Sequence, residues 1–578
     1  MKSRRQTPAW VRQRPTVMAA AAVLMAGNAA AFELDLGNPD LAVRWDNTVR
    51  YNAAQRVAAR DSRIGNNYKF DEGTYSFDKG DLVANRLDLL TELDMVYKKD
   101  MGLRISAAGW YDNAYDGKSV TRNPALSSPS SYNNSQYGNY TKRYYAGPSG
   151  EILDAFVFTN FDAGDVPVKL KVGRHTVFWG EALLLGGAMH GVSYSQMPLD
   201  LQKGFATPGV EAKELFRPLN QISGQAQLTD TLSVAAQYFL EWEPYRYPEG
   251  GTYLGPADFA FNGPDSIVQA VHPVLGPLGY TRAAPVTPKN NGEFGVSAKW
   301  SPEPLDGTLG FYYRRFADKM PQPLVTELKA AAGFPLANDS HYRLIYPDKI
   351  DLFGVSLAKN IGGVSVGAEL SYRRNTPLSA QTLGNASAFG VPASGQTFGP
   401  RGDTMHGLVN LMGTISKTPL FDAASWATEL TWAHLAKVRS GENLFNGVGY
   451  NGCRNAAGAV GGDKWDGCAT KNYVGIGAAF TPTWFQVMPG VDLSMPITYS
   501  IGLKGNSPTT FGGNQGLGNY SIGLGADIYQ KYRVDLKYID YVGKYRVNAA
   551  GNTVTTVNGF TSVLSDRGFL SLTFKASF

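Results

Sequence analysis

From Gly568 to Phe578 the chain alternates strictly. Leu570, Leu572, Phe574, Ala576 and Phe578 fall on one side of an extended strand, and Phe569, Ser571, Thr573, Lys575 and Ser577 on the other. Successive side chains of a strand point to opposite faces, so this period of two predicts a strand with a polar side and an apolar one. Upstream, Tyr532, Val534, Leu536 and Tyr538 oppose Arg533, Asp535 and Lys537. Charges of both signs share that second face, which makes it a wet one. Tyr520, Ile522, Leu524, Ala526 and Ile528 alternate with Ser521, Gly523, Gly525 and Asp527, and Tyr529 to Lys531 joins the two runs as a tight hairpin.

Read along the whole chain, the same pattern predicts strands near 41–51, 82–97, 103–111, 151–161, 166–174, 219–229, 232–242, 293–301, 307–316, 349–359, 363–373, 405–416, 425–438, 472–482, 492–503, 518–528, 532–541 and 568–578. Their connections alternate. Short ones, such as Lys98 to Gly102, Asp162 to Asp165 and Asp230 to Thr231, are followed by long ones at 52–81, 112–150, 175–218, 243–292, 317–348, 374–404, 439–471 and 542–567. Long loops on one rim, short turns on the other and an even strand count are the anatomy of a bacterial outer-membrane barrel. No stretch after the leader approaches the roughly 20 apolar residues of a spanning helix. The expected fold is therefore all-β: one closed antiparallel transmembrane β-barrel of about 18 strands, with 16 to 20 inside the boundary error of such a reading. A membrane sheet closes because an open edge would present unsatisfied amides to lipid. Trp110, Tyr111, Trp242, Trp432 and Tyr541, near strand ends, suit interfacial girdles or ordinary packing. Glu327 to Ala332 is read as one or two helical turns inside a long loop.

The first 31 residues are read as a secretory signal peptide. Lys2, Arg4, Arg5, Arg12 and Arg14 precede an apolar run from Val17 to Gly27 and the small residues Ala29, Ala30 and Ala31. Gln6, Thr7 and Pro8 lack the apolar character of a twin-arginine signal, so Sec export is expected. Five of the 54 Lys and Arg lie in this leader, so residues 32–578, expected to form a single barrel, balance 49 basic side chains against 49 acidic ones. That balance removes the basic footprint of a nucleic-acid partner. Cys453 and Cys468 share one glycine-rich loop and, in an exported chain, read as a disulfide. Tyr132, Tyr137, Tyr140, Tyr144 and Tyr145 cluster in another loop, suited either to carbohydrate or partner contact or to plain packing.

The densest chemistry lies between Val172 and Arg217. Gly173-Arg174-His175, Trp179-Gly180-Glu181, Pro198-Leu199-Asp200, Pro208-Gly209, Glu211, Lys213-Glu214 and Arg217 fall in a connection long enough to fold into a barrel and constrict it. Arg174, His175, Trp179, Glu181, Asp200, Lys213, Glu214 and Arg217 are the candidate constriction residues of a loop at 175–218, as ion pairs bracing it or as lumenal charges that select a solute. An enzyme would need a nucleophile, base and orienter from His175, Glu181, His190, Ser193, Ser195 and Asp200, but no Gly-x-Ser-x-Gly frames either serine. The spacing of His175, Glu181, His190 and Asp200 matches no metal-ligand pattern, and nothing calls for a cofactor.

Together with Glu241-Trp242, Gly251 and Tyr253, these motifs resemble the proteobacterial outer-membrane barrel family catalogued as domain of unknown function 1302. His175 stands where that family more often has Gln. The resemblance implies a large barrel working with a periplasmic lipid-carrier-like protein and an inner-membrane transporter of the resistance-nodulation-division type, and hence traffic of hydrophobic or amphipathic compounds or lipids. Phe578 resembles the C-terminal signal read by the outer-membrane barrel assembly machinery, with outer-membrane lipids as the other expected neighbours. A surface-loop platform for structure or adhesion, and a lipid hydrolase, are the rival readings.

Overall fold

The computed structural model describes residues 32–34, 36–183, 187–195, 197–207 and 212–578, with the backbone alone at Phe32, Glu33, Gly187, Ala188, Ala206, Ala212 and Lys213. The expected leader, residues 1–31, lies outside the described residues, as do Pro208-Gly209 and Glu211.

Eighteen antiparallel strands form the wall among the described residues. They are β1 (Leu41–Arg56), β2 (Leu82–Tyr97), β3 (Met101–Asp112), β4 (Ser149–Ala163), β5 (Val166–His175), β6 (Leu219–Thr229), β7 (Leu232–Phe239), β8 (Phe294–Trp300) and β9 (Gly307–Phe316). The circuit continues with β10 (Ile350–Ile361), β11 (Val364–Pro377), β12 (Arg401–Ile415), β13 (Ala423–Ser440), β14 (Asn472–Met488), β15 in two pieces (Val491–Ser494 and Ile497–Lys504), β16 (Gly518–Ile528), β17 (Tyr532–Val542) and β18 (Phe569–Ser577). Each strand pairs with its sequence neighbour, and β18 returns to β1 over Thr48↔Ser577 to Arg56↔Phe569, which closes the barrel. Phe578 extends the seam, its amide donating to Asn47 O at 2.8 Å. β15 breaks at Met495-Pro496, where a proline has no N–H to give the ladder. The short turns use residues of positive φ, as at Tyr529 (51°) and Gln530 (55°), a conformation whose twist matches that of the flanking strands.

The alternation becomes an inversion of the usual inside and outside. Val157, Phe353, Leu370, Leu536 and Leu572 are exposed on the outer wall, whereas Arg50, Arg314 and Arg373 point inward and are at most 2% exposed. Trp45, Tyr97, Phe161, Trp300 and Phe485 stand exposed near the short-turn ends, forming an aromatic belt. The girdle expected from sequence needs correction. Trp110, Trp242 and Tyr541 are buried, Trp110 with its indole N–H on Arg143 O (2.9 Å) and Trp242 against Tyr346. Trp110 and Tyr111 are neighbours in one strand, so only one of them can face out.

Above the long-loop rim, three connections build a second, five-stranded sheet from Ser266–His272, Gly276–Arg282, His341–Ile345, Gln322–Glu327 and Gly384–Asn385. The helical turns expected at Glu327 to Ala332 are absent. Glu327 ends a strand of that sheet, and Ala330–Ala331 pairs with Phe334–Pro335 in a small hairpin of its own, turned at Gly333 (φ 81°). The tyrosine-rich loop is packing: Tyr132, Tyr137 and Tyr145 are buried, with Tyr132 and Tyr137 edge to face at 5.2 Å. The largest apolar core lies among inward-folded loops, where Met197, Leu199, Phe216, Tyr247 and Phe259 pack together.

Candidate functional site

The connection between β5 and β6 crosses the interior, since its residues reach side chains on β1, β4, β9, β11 and β13. Its entry is set by Trp179, which is buried against Tyr312 (6.1 Å), Val192 and Leu352. A Cβ at Gly295 on the wall would stand 2.9 Å from the indole, so only glycine leaves that slot open. Gly180 follows with φ 88°, where a Cβ would collide with Ser193 and Glu369.

Two wall carboxylates and two wall guanidiniums then hold the loop by its backbone. Glu369 accepts from the amides of Glu181 (3.1 Å) and Val192 and from Ser193 Oγ (3.1 Å). Glu429 accepts from Leu183 N at 2.7 Å, and Asn410 Nδ2 donates to Glu181 O. On the donor side, Arg314 reaches Ser195 O, and Arg373 Nη1 donates to His190 Nδ1 (2.9 Å) and His190 O (3.3 Å). A loop buried in a barrel cannot satisfy its amides and carbonyls from its own ladder, so the wall supplies acceptors and donors. None of these four wall residues was singled out from sequence. The available signal was an ionisable residue inside an alternating strand, which belongs on the inner face.

The second half of the loop is held by ion pairs. Arg50 on β1 binds Glu214 through both guanidinium nitrogens, at 2.8 and 3.0 Å, with Asp88 at 3.7 Å. Asp200 caps the helix Leu201–Ala206, accepting from Lys203 N (3.0 Å), and pairs with Arg246 (3.1 Å), which also holds Glu151 at 2.6 Å. Arg217 donates to Pro244 O (2.8 Å) and pairs with Glu243. Burial, and then the neighbouring Arg246, push its guanidinium down to about 10. Glu181 accepts from Ser356 Oγ at 3.2 Å. Arg174 sits at the rim in the register of the outward Val168, Leu170 and Val172, bound to Glu241 at 2.8 Å. His175 ends β5, buried, with Nδ1 donating to Gly173 O (3.0 Å) and Nε2 accepting from Ser223 Oγ (2.7 Å). Of Lys213, the eighth candidate, the side chain lies outside the described residues.

The residues of the hydrolase reading are not assembled. Ser193 Oγ donates to Glu369, Ser195 Oγ donates to Gly191 O (2.5 Å), and His190 Nε2 donates to Thr510 O (2.8 Å). Burial, and then Arg373, hold His190 down at about 4. Among the described residues no three His, Cys, Asp or Glu stand close enough to share a metal ion.

Beside the loop lies a chamber of about 530 Å³, between Phe70, Met189, Tyr247, Phe511 and Phe560 and the wall of β14–β16. There the inward positions are small, Gly477, Ser500 and Gly502, so the cavity reaches the barrel backbone. One side is formed by the loop that the Cys453–Cys468 disulfide closes. No motif marked this chamber in the sequence, because eight connections contribute to it.

Among curated proteins none matches the chain. Solved structures that resemble it include Pseudomonas aeruginosa OpdK with vanillate (10% identity, TM-score 0.36, 93% of this chain and 98% of that one). Acinetobacter baumannii OccAB2 gives 9%, 0.39, 93% and 98%, and a BenF-like porin from Pseudomonas fluorescens gives 10%, 0.38, 93% and 98%. The family described as "Protein of unknown function (DUF1302)" matches residues 13–578. With nearly its whole length inside that match, the chain belongs to the DUF1302 family.

Proposed function

We propose that the protein is a bacterial outer-membrane channel, exported by the Sec route, that passes hydrophobic or amphipathic compounds or lipids across the envelope. One observation carries the reading. A closed barrel apolar outside and charged inside suits a bilayer, and this one keeps an aromatic-walled chamber of about 530 Å³ beside the packed loop. Passage then follows the small-residue wall of β14–β16, with the loop at 175–218 as the constriction that narrows the remaining lumen. Cargo is handed at the short-turn rim to a periplasmic lipid-carrier-like protein, itself served by an inner-membrane transporter of the resistance-nodulation-division type. Phe578, at the closing seam, serves as the signal for the assembly machinery.

The test is single-channel recording of the purified protein in planar bilayers. Discrete current steps, blocked by an apolar or amphipathic solute, are expected. A silent bilayer, with heat-modifiable migration proving the barrel folded, would overturn transport in favour of a surface-loop platform.

A further inference from the structure

Three charged side chains line the chamber: Lys69, Arg454 and Asp466. The carboxylate is already spoken for, with Arg546 Nε at 3.1 Å and Thr556 Oγ1 donating at 3.0 Å. The two cations are not. Among the described residues Lys69 Nζ makes no ion pair and no hydrogen bond, its nearest partner being the face of Tyr68 at 5.8 Å. Arg454 makes one long bond, to Gly458 O at 3.4 Å, and no ion pair. Burial pushes the Lys69 ammonium down from its ordinary range, and no neighbouring carboxylate offsets that effect. The buried cations Arg50, Arg246 and Arg567 each face a carboxylate, whereas Lys69 is half-buried and Arg454 is exposed. An ammonium held partly out of water without a counter-charge is costly to a fold unless something else uses it.

Uncharged polar side chains such as Gln322, Asn446, Thr509 and Asn514 share the lining with an aromatic cluster. Tyr247 and Phe511 lie 4.9 Å apart, Phe511 stacks on Phe560 at 5.9 Å, and Phe259 meets Phe560 edge on at 6.4 Å. Phe511 and Phe560 are only half-buried, so part of each ring faces the cavity. Pockets of several hundred Å³ with apolar walls and a few placed polar groups hold molecules of drug size.

The geometry points to a binding site for an amphipathic anion, its apolar or aromatic body against Phe511 and Phe560 and its anionic head on Lys69, with Arg454 as the second cation. This deepens the channel reading by naming the class of solute, and rests on it only for the idea that the solute then passes. Carboxylate and phosphate heads share the chemistry that Lys69 recognises.

The test uses three solutes with one body: 4-phenylbutyrate, 4-phenylbutanol and 4-phenylbutylammonium. Their binding to the full-length refolded barrel in detergent is measured by titration calorimetry, and phenylbutyl phosphate is added to compare the two kinds of head. Bound against Lys69, the carboxylate is expected to bind about tenfold or more tighter than the alcohol, since a charge-assisted hydrogen bond separates them. The ammonium is expected to bind most weakly. Lys69→Met should abolish the preference while leaving the alcohol's affinity unchanged, and Lys69→Arg should keep it. Phe511→Ala should weaken acid and alcohol alike. Heat-modifiable migration verifies that each variant is folded. Equal binding of the three solutes, or a preference that survives Lys69→Met, overturns the inference. Liposome swelling with the same solutes separates the two readings. Swelling without preference for the acid leaves a channel and overturns this site, whereas head-selective binding without swelling upholds the site and overturns transport.

Discussion

Glu214→Gln isolates the contact that pins the second half of the inner loop. Arg50 is 2% exposed and Glu214 is 5% exposed, and the two meet through paired bonds of 2.8 and 3.0 Å. The amide turns one accepting oxygen into an N–H donor against a guanidinium, so one of the two bonds is lost, while Asp88 stays at 3.7 Å. Removing one partner of a buried pair costs about 3–5 kcal/mol, and the retained Asp88 reduces this to about 2–3 kcal/mol. The wall does not bear that cost, because Arg50 joins the β1–β2 and β1–β18 ladders through its backbone, which the substitution leaves in place. It falls on docking of the loop, whose ratio of docked to undocked forms should drop by about 30- to 150-fold. Single-channel recording reads this directly, as conductance excursions frequent in the variant and rare in the native protein. The double variant Arg50→Met with Glu214→Met removes both charges and should return most of the quiet trace, since an apolar pair leaves nothing buried and unmatched. Glu214→Gln traces identical to the native ones, or a double variant as noisy as the single, would refute the reasoning.

His190 makes loop docking sensitive to acid. Held at about 4 against an ordinary 6.5, it stays neutral when docked, so docking has its full strength above about pH 6.5 and loses about 3 kcal/mol as pH falls to 4, where the undocked form takes up the proton first. Open probability should therefore rise over that window, and His190→Gln should flatten the rise. Gly295→Val should expel Trp179 from its slot at a cost of about 1–3 kcal/mol, seen as a red shift of tryptophan emission with the barrel still heat-modifiable. Cys453→Ser with Cys468→Ser should remove about 3 kcal/mol of loop-closure stabilisation, exposing 453–468 to protease on intact cells while the barrel keeps its migration.

Barrel class and strand count were legible because a strand's alternation is local: Tyr532 to Tyr538 declares its wet and dry faces without knowing its partner. The disulfide was legible for the same reason, its two cysteines sharing one loop. The aromatic girdle was misread because proximity to a strand end does not say which face a ring takes. The helical turn at Glu327 to Ala332 was misread because strand pairing within the same connection, with His341–Ile345 and with Phe334–Pro335, claimed the segment. Glu369, Glu429, Arg314 and Arg373 each carried a visible signal, a charge in an alternating strand, but nothing in the chain said what each would meet.

The sequence by itself determined the alternation, the rhythm of long and short connections and the presence of unusual charge around Val172 to Arg217, since all of these are nearest-neighbour properties. Only the tertiary structure decided that Arg50 meets Glu214 across 164 positions and that Glu181 hangs on Glu369 across 188. It also decided that Lys69, in a chamber assembled from many loops, meets no carboxylate among the described residues. Barrel closure chooses those partners, and closure depends on the register of all eighteen strands together.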